Sequence, residues 1–151
     1  MLEETNSFLL EGWEKPMPKI DILEEKCTGC RLCEGVCSAR LVGSFDSARS
    51  AVYVESLLPE TVTIRPLMCI HCEEHPCVDA CPVAALEKKV ESELYVVNKD
   101  LCTGCGACAQ ACPYRGIRLD PISKTAIKCD FCGGQPRCVG MCPFKVIQIT
   151  G

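Results

Sequence analysis

The chain has 151 residues, 16 basic against 20 acidic, for a formal net charge of −4. That length holds one domain or two small ones. The acidic balance, an aromatic share of 5% and the lack of any basic block exclude a nucleic-acid-binding surface. No apolar run approaches the length of a membrane-spanning helix, so the chain is expected to be soluble. Sixteen residues are cysteine; without them the hydrophobic share of 48% falls to about 37%, a thin core of the kind that needs metals or disulfides to hold it.

Residues 1–18 contain Trp13, Pro16 and Pro18 and no cysteine. They read as an N-terminal extension, docked on its own protein or serving as an arm for a partner. The stretch has neither a basic start nor a sustained apolar run, and no twin-arginine pair lies near it; the expected location is cytoplasmic. Residues 19–23, KIDIL, alternate polar and apolar and predict a short strand. A first cysteine stretch, CTGCRLCEGVCS, follows at 27–38 and ends without proline, so the chain should leave it by a different route from later copies. Residues 51–55, AVYVE, and 61–65, TVTIR, predict a hairpin about LLPE at 57–60.

A second cysteine stretch, CIHCEEHPCVDACP, spans 69–82. VAAL at 83–86 reads as the end of a helix, and LYVVN at 94–98 as the strand of a ribbon. The third stretch, CTGCGACAQACP at 102–113, leads into GIRLD at 116–120, a turn at PISK and a strand TAIK at 125–128. The fourth, CDFCGGQPRCVGMCP at 129–143, leads into a closing strand, VIQIT at 146–150. Strand, cysteine loop, short helix and strand thus repeat four times.

The third stretch defines the chemistry. Cys102, Cys105, Cys108 and Cys112 followed by Pro113 form the C-x2-C-x2-C-x3-C-P run of a bacterial [4Fe–4S] ferredoxin. A tight loop presents three thiolates to three irons of a cubane, and the helix behind it carries the fourth cysteine onward, to the other cluster in two-cluster ferredoxins. Gly104 and Gly106 let the loop turn sharply, and Pro113 stops the helix. The other copies supply Cys27, Cys30, Cys33, Cys37; Cys69, Cys72, Cys77, Cys81; and Cys129, Cys132, Cys138, Cys142, which together account for all 16 cysteines. Four [4Fe–4S] clusters follow. Oxidised, each carries about −2 with its thiolates, taking the loaded protein near −12.

Disulfides fit poorly, because three cysteines two residues apart suit a metal loop better than cross-links. Zinc sites usually separate their cysteine pairs and do not close on Cys-Pro. Stretches two and four are widened before their third cysteine, with Pro76 and Pro136 in the gap. If each two-cluster module joins one regular and one widened stretch, two schemes survive: tandem (one with two, three with four) or nested (one with four, two with three).

The order of these four stretches resembles the four-cluster electron-transfer subunits of molybdenum and tungsten oxidoreductases and related complexes. These include the iron–sulfur subunits of dimethyl sulfoxide reductase and formate dehydrogenase, the ferredoxin-like partner of carbon monoxide dehydrogenase, and the small subunit of tungsten aldehyde oxidoreductases. The resemblance covers residues 19–150. The compact length and the segment CSARLVGSFDSARSAVYV at 37–54 look most like the tungsten aldehyde oxidoreductase small subunit or the carbon monoxide dehydrogenase partner. Compared with larger members the chain lacks long insertions and a C-terminal membrane helix, which argues against docking to a membrane cytochrome.

The resemblance implies an α+β fold of two bacterial-ferredoxin-like modules, nested in sequence: an outer one from 19–59 plus 121–151 and an inner one from 60–120. It implies four ligand sets: Cys27, Cys30, Cys33 with Cys142; Cys129, Cys132, Cys138 with Cys37; Cys69, Cys72, Cys77 with Cys112; and Cys102, Cys105, Cys108 with Cys81. The expected function is a relay of single electrons between a large catalytic subunit, a tungsten or molybdenum enzyme such as an aldehyde oxidoreductase, and a second redox protein or subunit. Carbon monoxide dehydrogenase, hydrogenase and formate dehydrogenase are alternative partners, and a diffusing polyferredoxin is the competing role. No catalytic residues are expected, since sixteen cysteines for sixteen irons leave no open coordination site.

His71 and His75 lie inside the second stretch; with all its cysteines present, they are expected to face solvent or support a ligand from behind it. Arg31, Arg115, Lys128 and Arg137 sit beside cysteines. They read as solvated surface charges or as tuners of cluster potential, since nearby positive charge favours the more negative reduced cluster.

Overall fold

A computed structural model describes residues 19–57 and 63–150. The N-terminal extension, most of the predicted LLPE turn and Gly151 lie outside them. Among the described residues, eight short strands form four separate two-stranded antiparallel sheets, with no closed sheet. The elements run β1 (Lys19–Ile22), α1 (Leu32–Val42), β2 (Tyr53–Leu57), β3 (Thr63–Leu67), α2 (Pro76–Asp79), β4 (Leu86–Lys88), β5 (Tyr95–Val97), α3 (Ala107–Ala111), β6 (Ile117–Leu119), β7 (Ala126–Lys128), α4 (Arg137–Met141) and β8 (Ile147–Thr150). This is a ferredoxin-like assembly of small helices and short strands.

Three sheets are local ribbons: β2 with β3, β4 with β5, β6 with β7. The other joins the two ends of the described chain, Ile20 opposite Ile149 and Ile22 opposite Ile147. Helix α1 packs on α4, and α2 on α3.

Two local expectations are corrected. The first hairpin lies two residues later than expected, because Ala51 and Val52 are buried on the approach to β2 and Leu57 remains in the strand. Residues 83–86 are not the end of a helix: α2 stops at Asp79, Ala84 takes a left-handed φ of 50°, and Leu86 opens β4. Of the expected module boundaries, 59/60 lies outside the described residues and 120/121 falls between the paired strands β6 and β7.

Two apolar clusters make the core, and cysteines belong to both. One contains Ile20, Cys33, Ala51, Val52, Val54, Met68, Cys69, Leu94, Cys129, Phe131, Cys138 and Ile147. The other contains Cys77, Leu86, Cys108, Ile117 and Ala126. Much of the interior is therefore sulfur, so iron bound there would contribute folding free energy directly.

Candidate iron–sulfur sites

All sixteen cysteines are free thiols. Their local geometry repeats. After Cys81, Cys112 and Cys142 comes a proline, and the third residue on (Ala84, Arg115, Lys145) has φ near +50°. Its N–H returns to the cysteine carbonyl at 3.3–3.4 Å. The next amide then points at sulfur: Ala85 N–H donates to Cys81 Sγ at 3.2 Å, Gly116 to Cys112 at 3.3 Å and Val146 to Cys142 at 3.5 Å. Proline removes a competing donor and stops the helix, so the chain must turn there.

Cys37 has no proline after it. Helix α1 runs through it to Val42 and ends on Gly43, whose φ of 74° suits a residue with no Cβ. Its sulfur takes an N–H from Ala51, fourteen residues on, at 3.3 Å. The different exit expected of the first stretch is thus present. Cys69 and Cys129 use another device: left-handed residues two positions later, His71 and Phe131, donate to them at 3.4 and 3.5 Å. Ala126 N–H donates to Cys102 at 3.3 Å.

Seven sulfurs therefore accept backbone hydrogen bonds. Such bonds favour thiolate over thiol, and thiolate is what binds iron. At Cys81 burial raises the thiol, but the amides of Ala85, Val83, Leu86 and Ala84 outweigh it and the net shift is downward. At five other cysteines burial wins. The thiols of Cys33 and Cys138 are pushed up to about 12 and that of Cys77 to about 11, while Cys129 and Cys108 also rise. Those protons would have to be displaced by metal, which couples loading to folding. The donor set and its amide cradles fit iron–sulfur clusters. Among the described residues no three His, Cys, Asp or Glu converge on a single metal ion.

The structure places the predicted ligands as follows. Cys27, Cys30, Cys33 and Cys142 line one pocket with Val54, Phe144 and Ile147. Cys138 lies within the electrostatic reach of Cys37 and Cys132, and Cys129 within that of Cys69, Cys138 and Cys37. Cys77 neighbours Cys69, Cys72 and Cys112. Cys108 neighbours Cys102 and Cys81. Cys30 and Cys105 are the two exposed cysteines.

Among the flanking groups Arg31, Arg115 and Arg137 are exposed, as surface charges should be, whereas His71 and Lys128 are buried. His71 is 2% exposed, its ring 4.9 Å from that of Phe131. Lys128 is 8% exposed, not a surface charge. Its ammonium donates to the Tyr95 carbonyl at 2.8 Å and stands 3.5 Å from His71 Nδ1. Burial, then the Lys128 charge, pushes His71 down to about 3, so the ring is neutral near pH 7. An ammonium can only donate, which places the ring proton on Nε2; that atom is buried and finds no partner among the described residues. His75 packs on the Tyr95 ring at 4.5 Å. Arg31 pairs with the buried Glu34, Arg115 with Glu55, and Arg137 is exposed.

Several residues that matter to this arrangement carry no local signal. Arg49 grips Asp120 through two nitrogens, 71 residues away. Arg118 donates to the carbonyls of Ser47 and Ser50 and lies 4.4 Å over the Tyr53 ring. Gly116 lies against the backbone of Met68 and Cys69, where a Cβ would come within 2.5 Å of Cys69 N and Cα.

Known proteins give the geometry its family. An aliphatic sulfonate oxidoreductase polyferredoxin-like subunit of Pyrococcus furiosus is 40% identical over 109 residues, 72% of this chain and 62% of that protein. A tetrathionate reductase subunit of Archaeoglobus fulgidus is 36% identical over 80% of this chain and 56% of its own length. The chain thus spans little more than half the length of these curated relatives. Among solved structures, a chain of the active-site complex BamBC of benzoyl coenzyme A reductase with benzoyl-CoA is 28% identical, with a TM-score of 0.53 over 88% of this chain and 78% of that one. Two family models, both described as a 4Fe-4S dicluster domain, match residues 26–86 and 60–151, and the chain belongs to that family.

Proposed function

We propose that this chain is a non-catalytic electron-transfer subunit holding four [4Fe–4S] clusters, which relays single electrons between a large oxidoreductase subunit and a second redox partner. The observation that carries this reading is the spatial succession of cysteine groups. Cys27, Cys30, Cys33 and Cys142 adjoin Cys37, Cys129, Cys132 and Cys138, since Cys33 lies within the electrostatic reach of Cys138 in one apolar cluster. The second group meets Cys69, Cys72, Cys77 and Cys112, because Cys129 lies within the electrostatic reach of Cys69 in one apolar cluster. The third meets Cys81, Cys102, Cys105 and Cys108, because Cys77 and Cys108 share the other.

This is the nested ligand assignment, and the β1–β8 pairing with the α1–α4 and α2–α3 contacts supports it over the tandem one. The succession has two ends, and the two exposed cysteines, Cys30 and Cys105, belong to opposite ends. Exposed sulfur there would let electrons enter and leave, while burial in between insulates the path. The relatives' names, a polyferredoxin-like subunit of an oxidoreductase and a subunit of a reductase, support a subunit role. The resemblance drawn from the cysteine stretches assigns the catalytic partner to the tungsten or molybdenum enzymes.

Anaerobic purification from the native host tests this. A large subunit should co-elute, with about sixteen irons per small chain and tungsten or molybdenum in the complex. A fully loaded chain eluting alone would replace the subunit role with that of a diffusing polyferredoxin, and a partner free of both metals would remove the metal assignment.

A further inference from the structure

Lys128 is placed badly for a solvated cation. It is 8% exposed, held by the Tyr95 carbonyl and facing His71 Nδ1. Among the described residues no carboxylate pairs with it. An ammonium buried without counter-charge is strongly unfavourable, so its surroundings must supply one.

Those surroundings are the seam between two cysteine groups. Lys128 is bonded directly to Cys129. His71 lies between Cys69 and Cys72, and its amide donates to Cys69 Sγ at 3.4 Å. The His71 ring rests on Phe131, whose amide donates to Cys129 Sγ at 3.5 Å. Cys69, Cys129 and Phe131 lie in one apolar cluster. The cation thus stands where the two middle groups of the succession meet.

We infer that Lys128 is the cation shared by the two middle cluster sites, Cys69/Cys72/Cys77/Cys112 and Cys37/Cys129/Cys132/Cys138, and that its charge makes both easier to reduce than they would be without it. The inference rests on the relay reading above. One-electron reduction adds a negative charge to a site already near −2. A fixed ammonium in the low-dielectric interior offsets that charge more strongly than one in water. When an electron passes between the middle sites, one is oxidised by one electron and the other reduced by one. The charge summed over the pair facing Lys128 is unchanged. The cation therefore favours an electron's residence on the middle pair.

If Lys128 only tied β7 to the Tyr95 carbonyl, a neutral donor would serve as well. The test is an EPR-monitored redox titration of the loaded full chain, with Lys128→Gln keeping a donor without the charge and Lys128→Arg keeping the charge. In Lys128→Gln, two of the four midpoints should fall by about 59 mV or more, a tenfold change in a one-electron equilibrium, while the other two hold. Lys128→Arg should keep all four near native. Four clusters with unmoved midpoints in Lys128→Gln, or with all four shifted alike, would overturn the role of Lys128 and leave the relay standing. Fewer than four clusters in the unsubstituted chain would overturn both. Where Lys128→Gln loses its iron, Lys128→Arg decides: native iron and midpoints support the charge, and the same loss overturns it.

Discussion

Gly116→Ala probes how closely two cysteine stretches are pressed together. Gly116 follows the third stretch, and its backbone lies against Met68 and Cys69, where the second begins. Its φ is outside the left-handed region, so alanine can adopt the backbone. The added methyl cannot be housed: it would stand 2.5 Å from Cys69 N and Cα and 2.7 Å from the Met68 carbonyl carbon. Ordinary contact between such atoms is about 3.5–4.0 Å, so the two backbones must separate by about 1 Å. Overpacking of this kind costs about 1–3 kcal/mol. Alanine returns about 0.4–1 kcal/mol by restricting the unfolded chain, and because the obstacle is backbone, the clash wins.

The separation would also pull Gly116 N–H from Cys112 Sγ, now 3.3 Å away, and move Cys112 from Cys69. Gly116→Ala should therefore lower the temperature of half-loss of cluster absorbance, measured at one heating rate, by about 2–4 °C per kcal/mol. Iron should fall from about sixteen toward twelve per chain, one cubane fewer. Gly140→Ala is the control. It lies within α4 with nothing inside 4 Å of a built Cβ, so alanine there should be neutral or stabilising by up to about 1 kcal/mol. Full iron and native thermal loss in Gly116→Ala would refute the reasoning.

Cys37→Ser separates the pairing schemes: EPR should show damage to the site of Cys129, Cys132 and Cys138, whereas damage confined to that of Cys69, Cys72 and Cys77 would establish the tandem scheme. Removing iron with a chelator under reducing conditions should abolish native chemical-shift dispersion, because buried sulfur makes up much of both apolar clusters. Asp120→Asn should destabilise the loaded chain near neutral pH, as Arg49 loses its carboxylate partner and holds the Asp120 carboxyl well below its ordinary value. A carboxyl lowered on folding contributes fully above its unfolded pKa of about 3.9 and loses that contribution as pH falls through the lower folded value. Thermal-loss curves of native and Asp120→Asn protein should therefore differ at pH 7 and converge toward the acid end.

The cysteine loops were legible because they are encoded within a few residues. Three cysteines two apart force a tight loop, and proline after Cys81, Cys112 and Cys142 forces the turn that aims an amide at sulfur. The missing proline after Cys37 gave notice of a different exit, which the structure makes with the longer helix α1. The β-branched runs gave the ribbons, though not their ends, since buried Ala51 and Val52 shift the first hairpin without changing its local pattern. What distant segments do to one another was not legible. Lys128 and His71 are 57 residues apart, and each alone looks like an ordinary polar residue beside a cysteine. Arg49 finds Asp120 across 71 residues, and nothing around Gly116 announces the backbone it must admit. Spacing fixes turns because a turn's hydrogen bonds close within its own stretch. Burial, the sharing of a charge and the approach of two backbones exist only once β1 has met β8, α1 has met α4 and α2 has met α3, and those meetings were decided by the tertiary structure.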